Sequence, residues 1–370
     1  MTDDRPVPLD EYPVHQVPLS MKYVATGDRN AYDRCIFHVV DHEGRALLIL
    51  GLGVYPNLGV IDAYATLRLG DTLHAVRASD ALRDDSRTNL AVGPLRILVE
   101  RPLRDFVLSC EAAPDDPDAL SYEINWTADF PALWEPHHLQ RRGGRLTLEG
   151  RRFVQAGHCD GWVRVGGREI RVRGWTGTRD RSWGVRPVPG EEGGRYAEEH
   201  PTEGFHWLWC PVRFDDRFLM VIVQEDADGH RSLNDATLVR PGHRDRQLGW
   251  PQAEITYRSG TRHPERALVH LGDHRKPMEL DVEILTSSPL ALGAGYPPAD
   301  DWQHGTWQGR DWTDRRSYDL TEPHPLAGYG VTDHAARFRL DGRTGHGIFE
   351  HGSFGRHDPS GFTGFDSVAP

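Results

Sequence analysis

The stretch that decides the fold is Trp162-Val163-Arg164-Val165, then Gly166-Gly167, then Arg168-Glu169-Ile170-Arg171-Val172-Arg173. Residues alternate in character on both sides of a glycine pair, and two glycines permit the positive φ of a tight hairpin turn. The register predicts Val163 opposite Ile170 on one face and Arg164 opposite Glu169 on the other, so one face is buried and one is wet. Similar hairpins precede it: Cys35–Val40 with Ala46–Tyr55 across the turn Asp41–Gly44, and Ile61–Leu69 with Thr72–Ser79 across Gly70-Asp71. Strands are also expected at Arg217–Glu225, Arg231–Arg240, Leu268–Leu271, Glu279–Leu285, Ala335–Leu340 and Gly345–His351. In the first of these the run Phe218-Leu219-Met220-Val221-Ile222-Val223 is apolar on both faces, the mark of a central strand. No segment longer than about a dozen residues keeps a 3.6-residue apolar period, so helices should be few and short.

Many short strands at such spacing suit barrels or sandwiches. At 370 residues the chain is long for one core, and two domains are expected. The division is placed in Pro187–Thr202, rich in Pro, Gly and Glu, which gives domains 1–188 and 189–370. A second loose stretch, Pro297–Arg316, holds Trp302, Trp307 and Trp312; it reads either as a lid over an opening or as a segment packed on the barrel exterior.

The net charge of −12 argues against a phosphate-binding surface and therefore against nucleic acid. The start lacks the basic and apolar regions of a secretory signal. No run approaches the roughly 18 apolar residues of a membrane helix. Cys35, Cys110, Cys159 and Cys210 lie far apart, with no pair at metal or redox spacing. A cytoplasmic protein with buried, reduced thiols is expected. There is no G-x-S-x-G elbow, P-loop or strand-led G-x-G-x-x-G, and Gly51-Leu52-Gly53 lacks the third glycine. Twenty histidines invite a metal, but none shows zinc spacing. No cofactor and no metal are expected, and any chemistry falls to acid–base side chains.

The segment Thr178–Arg186 packs charge, an indole and a glycine together. Asp180, flanked by arginines, is either an ion-pair anchor or a tuned proton donor, because nearby cations lower a carboxyl pKa while burial raises it. In Gly204–Cys210, alternation puts His206, Leu208 and Cys210 on one face and Phe205, Trp207 and Trp209 on the other. His158 lies in Gln155–Gly161, and near the C-terminus His346, Ile348 and Glu350 alternate with Phe349 and His351. Glu135-Pro136-His137-His138 adds a further cluster.

Four pieces in order, Tyr32-Asp33-Arg34 through Gly53–Asn57, Gln155–Gly161, Asp180-Arg181-Ser182-Trp183-Gly184 and Gly347–Glu350, make the chain resemble the bacterial families grouped with hydroxyneurosporene synthase (carotenoid 1,2-hydratase)-like proteins, which are similar in turn to tocopherol cyclase. The resemblance implies two lipocalin-like antiparallel β-domains in tandem, without nucleotide or metal, acting on apolar isoprenoid or polyene-like molecules. It further implies that an acid protonates a carbon–carbon double bond under aromatic faces, and Asp180 and Trp183 match that part of the motif. Candidate catalytic residues are Asp180, His158 and His206; candidate substrate contacts are Trp183, Trp207, Trp209, Trp134, Tyr55 and Glu350. The expected partner is a hydrophobic small molecule, the expected activity that of a cofactor-independent hydratase, isomerase or cyclase. Its main rival is a non-catalytic carrier, which Asp180 paired to Arg181 or Arg186 at the surface would favour. A purely structural β-protein would contain no cavity of roughly 300 Å³ or more.

Overall fold

The computed structural model describes residues 6–370 apart from 114, 143, 191–202, 273–275, 300, 323, 325, 327 and 329. It is an all-β structure of two curled antiparallel sheets, and no helix among the described residues is long and apolar enough to cross a membrane. The quoted hairpin is the spine of the first sheet. Its strands, Arg145–Val165 and Arg168–Val185, pair in the expected register, Val163 with Ile170 and Arg164 with Glu169. Gly166 and Gly167 turn with φ of 57° and 68°, Val163 is buried, and Arg164 and Glu169 form an exposed ion pair at 2.8 Å. Ala31–Val40 pairs with the second of these strands, and Ala46–Tyr55, Val60–Leu69 and Thr72–Ala81 follow outward in order.

On the other flank lie Ser121–Ala128, Asp105–Cys110, Leu95–Arg101 and Leu90–Val92, strands not among those expected, although Tyr122, Ile124 and Trp126 alternate with Glu123, Asn125 and Thr127. A larger departure concerns the tryptophan-bearing stretch. Trp312–Asp319 is a strand that returns from late in the chain to close the edge of the first sheet against Thr72–Ala81. Trp302 is buried between the sheets while Trp307 is exposed.

The second sheet runs Arg246–Gln247, Arg231–Val239, Phe218–Asp226, Gly204–Arg213, Arg343–His357, Thr332–Leu340, Met278–Pro289, Pro264–Leu271 and Gln252–Tyr257. Every expected strand of this half is present, several with longer bounds. The linker expected at Pro187–Thr202 lies, from residue 191 onward, outside the described residues.

The alternation of each strand sorts side chains into three apolar layers. One fills the curl of the first sheet (Phe37, Leu50, Trp126) and one the curl of the second (Cys210, Val221, Phe338). The third lies between the sheets, where Ile36, Ile49 and Val154 of the first meet Trp209, Met220 and Ile348 of the second. This middle layer explains why Ala46–Tyr55 and Phe218–Asp226 are buried on both faces and read as continuous apolar runs. All four cysteines are buried free thiols.

Candidate functional site

Between the sheets, a group of ionisable side chains interrupts the apolar middle layer. The first sheet contributes the alternate positions Thr178 and Asp180, with Arg34 and His38 from one neighbouring strand and Arg152 from the other. The second sheet contributes Trp207 and Trp209, then Glu350, the cross-strand neighbour of Trp209, and Asp333, the cross-strand neighbour of Glu350. Glu135, just after the short strand Leu133–Trp134, completes the set.

The bonding is dense but uneven. His38 Nε2 lies 3.1 Å from Asp333 Oδ2, and its Nδ1 lies 3.1 Å from the Thr178 hydroxyl. The Trp207 indole N–H donates to Glu350. Trp209 donates to Glu135 Oε1 at 2.7 Å, and His138 lies 2.8 Å from the other oxygen. Arg152 sits between Glu135 and Asp180 with its Nε 3.8 Å from each carboxylate and, among the described residues, without a hydrogen-bond partner, its guanidinium carbon 5.8 Å over the Trp207 ring.

These surroundings divide the acids. Burial alone would raise Glu135, but Arg152, His138 and the Trp209 N–H together hold it below its ordinary value. Burial pushes Asp180 up, and Glu135 adds to this against the pull of Arg152. Asp333 is pushed by burial up to about 7. Glu350 is raised well above the carboxylate range by burial and then by the neighbouring Asp333. His38 is lowered by burial to about 4. At neutral pH the layer therefore holds an ionised Glu135, a neutral His38 and a Glu350 that retains its proton.

A recess of about 160 Å³ adjoins this cluster, lined by Arg34, Tyr55, Arg186, Tyr296 and His304 among others. Arg34 donates to the Tyr296 hydroxyl at 3.1 Å, and burial raises that hydroxyl's pKa where Arg34 and Arg186 lower it. Local sequence makes the room: Gly53 and Gly51 are the cross-strand partners of Arg34 and Ile36. A Cβ at 53 would lie 2.6 Å from the Tyr55 hydroxyl, and one at 51 would lie 2.4 Å from the Tyr64 ring. Those glycines serve close ring approach rather than a phosphate loop. The Tyr55 hydroxyl is buried with no hydrogen-bond partner among the described residues.

The structure thus brings Asp180, Trp207, Trp209 and Glu350 into one layer, with Tyr55 at the adjoining recess. Asp180 is buried against Arg152; Arg181 instead pairs with Asp33 at 3.0 Å on the opposite face. His158 is half-buried elsewhere, 2.8 Å from Asp129. His206 points into the second curl, stacked on His357. Trp183 packs on Trp134 at 5.8 Å and lines a different cavity of about 530 Å³ at the mouth of the first curl, covered by Val17, Leu19, Met21 and Val24. A third cavity, of about 700 Å³, opens beside His206 in the second curl. Two cavities above the size of a small-molecule site are not what a purely structural protein was expected to contain. Sequence reasoning passed over His38, Arg152, Tyr296 and Asp333, and named Arg34 only within the motif Tyr32-Asp33-Arg34 and Glu135 only within the cluster Glu135-Pro136-His137-His138, neither with a role.

Among solved structures the chain is similar to a candidate AttH protein of Nitrosomonas europaea, 14% identical with a TM-score of 0.55, over 94% of this chain and 99% of that one. It is also similar to kievitone hydratase from Nectria haematococca (10% identical, TM-score 0.48, 87% of this chain and 88% of that one) and to CghA with Sch210972 (12% identical, TM-score 0.47, 89% of each). At these identities the first likeness is one of fold. No curated protein matches the sequence. A family profile does match, over residues 7–363, nearly the whole of the folded chain, and the protein belongs to that family, the family of unknown function DUF8625.

Proposed function

We propose that the chain is an acid–base enzyme of the hydratase, isomerase or cyclase kind, acting without a cofactor at the inter-sheet cluster on an apolar, oxygen-bearing molecule of isoprenoid or polyketide class. The observation that carries this reading is the Asp333–Glu350 pair: two carboxyl groups adjacent across one strand pair, buried, and approached by the Trp207 N–H. Two such groups cannot both ionise in a dry layer, so one keeps a proton at neutral pH and can deliver it, as a general acid must. Glu350 is the proton donor in this reading. Asp333 with His38 receives and relays the proton, and Asp180 with Arg152 orients the substrate's oxygen.

The surroundings favour proton transfer at oxygen over a free carbocation. Arg152 already lies over the Trp207 ring, and a second cation at that face would be repelled. The 160 Å³ recess is smaller than the roughly 300 Å³ of a drug-sized site, so a substrate would enter by its oxygen-bearing end past Arg34 and Tyr296.

The carrier reading has one observation of its own. The 530 Å³ cavity is walled largely by apolar side chains and lies on the other face of the sheet from Asp180. One experiment separates the two. The protein is purified from its own host, co-purifying small molecules are identified by native mass spectrometry, and each is incubated with the protein in D₂O. Deuterium incorporation by wild type that is lost in Glu350→Gln supports the enzyme. A ligand returned unchanged, bound equally by both proteins, leaves the carrier.

A further inference from the structure

We propose that His206, Glu225 and His357 form a binding site for a divalent transition-metal ion of the zinc class, in the wall of the 700 Å³ cavity of the second sheet. One ligand atom from each of the three lies within 4.8 Å of the other two, and all three side chains are buried. His206 and Glu225 face each other across the pair Gly204–Arg213 and Phe218–Asp226, and His357 ends the neighbouring strand.

The donor set and its supports fit a metal. Two imidazoles and one carboxylate suit zinc and similar ions, and three protein ligands leave a coordination position open, as in catalytic rather than structural sites. His357 Nδ1 lies 2.8 Å from the Ser360 hydroxyl, which fixes the ring so that Nε2 faces Glu225 Oε2 at 2.9 Å. The other oxygen of Glu225 accepts from Arg231 at 2.7 Å. Arg231 is itself pinned by Asn234 and by the Pro251 carbonyl. Each of these contacts orients a ligand from behind, as outer-shell partners do.

His206 is the second, independent observation. Its side chain is 5% exposed, its ring lies 4.1 Å from that of His357 and nearly parallel to it, and its Nδ1 has no hydrogen-bond partner among the described residues. A buried imidazole nitrogen left unpaired beside a second imidazole and a carboxylate carries a desolvation cost that an ion would remove. The cavity also reaches Trp250, Gln252 and Tyr257, so a small molecule completing the coordination would meet both aromatic and polar walls. Linear spacing hid the site because its ligands come from three strands that are neighbours only in the fold. The inference is independent of the inter-sheet acid reading.

The test uses the full chain, stripped with a chelator and titrated with Zn²⁺ by calorimetry and with Co²⁺ by visible absorption. One ion per chain is expected, with the intense bands of four- or five-coordinate cobalt. His206→Ala and Glu225→Gln, each checked for fold by circular dichroism, should weaken binding by at least about 100-fold. His230→Ala removes a member of the exposed Asp226–Asp228–His230 group nearby and should leave binding unchanged. His206→Asn serves if the alanine variant does not fold. Absence of binding by wild type, or binding that survives in the His206 variant and is lost in His230→Ala, would overturn the site.

Discussion

Two arginines on the paired strands of the central hairpin, Arg179 buried and Arg152 half-buried, sit in opposite settings. Arg179 points into the first curl, where Gln155 Oε1 accepts two of its N–H groups at 3.0 and 2.8 Å. The rings of Phe106, Phe153, Trp126 and Phe37 surround it, Phe106 at 4.4 Å. Arg152 points into the middle layer, where two carboxylates stand near it at 3.8 Å without closing a hydrogen bond. The first is a finished cation–π anchor with no acid to work on. The second is a charge held near groups that can still change partners. Burial of charge does not by itself mark function; incomplete pairing within a set of titratable neighbours does.

The contrast can be broken most sharply by chemistry. With the molecule that the protein turns over, Asp180→Asn and Glu350→Gln should each lower kcat by about 100- to 10,000-fold with an unaltered circular dichroism spectrum. Arg179→Met should leave kcat within a few-fold. Unchanged turnover in either acid variant removes that residue from the mechanism.

Stability reads the same difference next. Arg179→Met strips Gln155 of its donor and should cost about 2–3 kcal/mol by chemical denaturation, nearly the same at pH 5 and pH 8. Arg152→Met removes the cation beside Asp180 and Glu135, so both acids should rise above their unfolded values. Its stability should be retained at acid pH and lost as pH rises, with a deficit larger at pH 8 than at pH 5. Parallel pH profiles for the two variants would erase the distinction.

Asp333 gives a finer test. Its carboxyl is raised to about 7 from the model-peptide value of 3.8. The folded state therefore binds more protons than the unfolded state between those values, and stability falls as pH rises through that window. Asp333→Asn should flatten this slope and gain relative to wild type at pH 8 compared with pH 5. His38 and His351, both lowered to about 4 by burial, act in the other direction, losing stability as pH falls from about 6.5, and do so in both proteins. The smallest effect belongs to Tyr55→Phe. Its hydroxyl is buried without a hydrogen-bond partner among the described residues, so removing it should leave stability unchanged or raise it by up to about 1 kcal/mol.

Much of this was legible in the residues. Alternation across the glycine pair gave the hairpin its register, and the same rule put Trp207 and Trp209 on the face opposite His206, which is how the middle layer and the second curl divide them. Other parts were not. Trp312–Asp319 reads Trp-Thr-Asp-Arg-Arg-Ser-Tyr-Asp, with no apolar face, because its pairing rests on an edge and on Arg77 bonding Asp314 at 2.6 Å. Asp333 fell outside its strand in the sequence reading, since an acid in a buried strand argues against strand until its neighbour Glu350 is known. Arg152 and His38 have no local signature at all. Only the strand order brings them to Asp180.

The late strand Trp312–Asp319 has a consequence for biosynthesis. Once the ribosome has made Thr72–Ala81, that strand presents open backbone donors and acceptors, and more than two hundred residues must emerge before their partner arrives. Until then that border is a template for any extended peptide nearby, including another nascent copy. A full-length chain in which residues 312–319 are replaced by a Gly-Ser segment of equal length should therefore be made but collect in aggregates, and a synthetic peptide of residues 312–319 supplied in trans should reduce that loss.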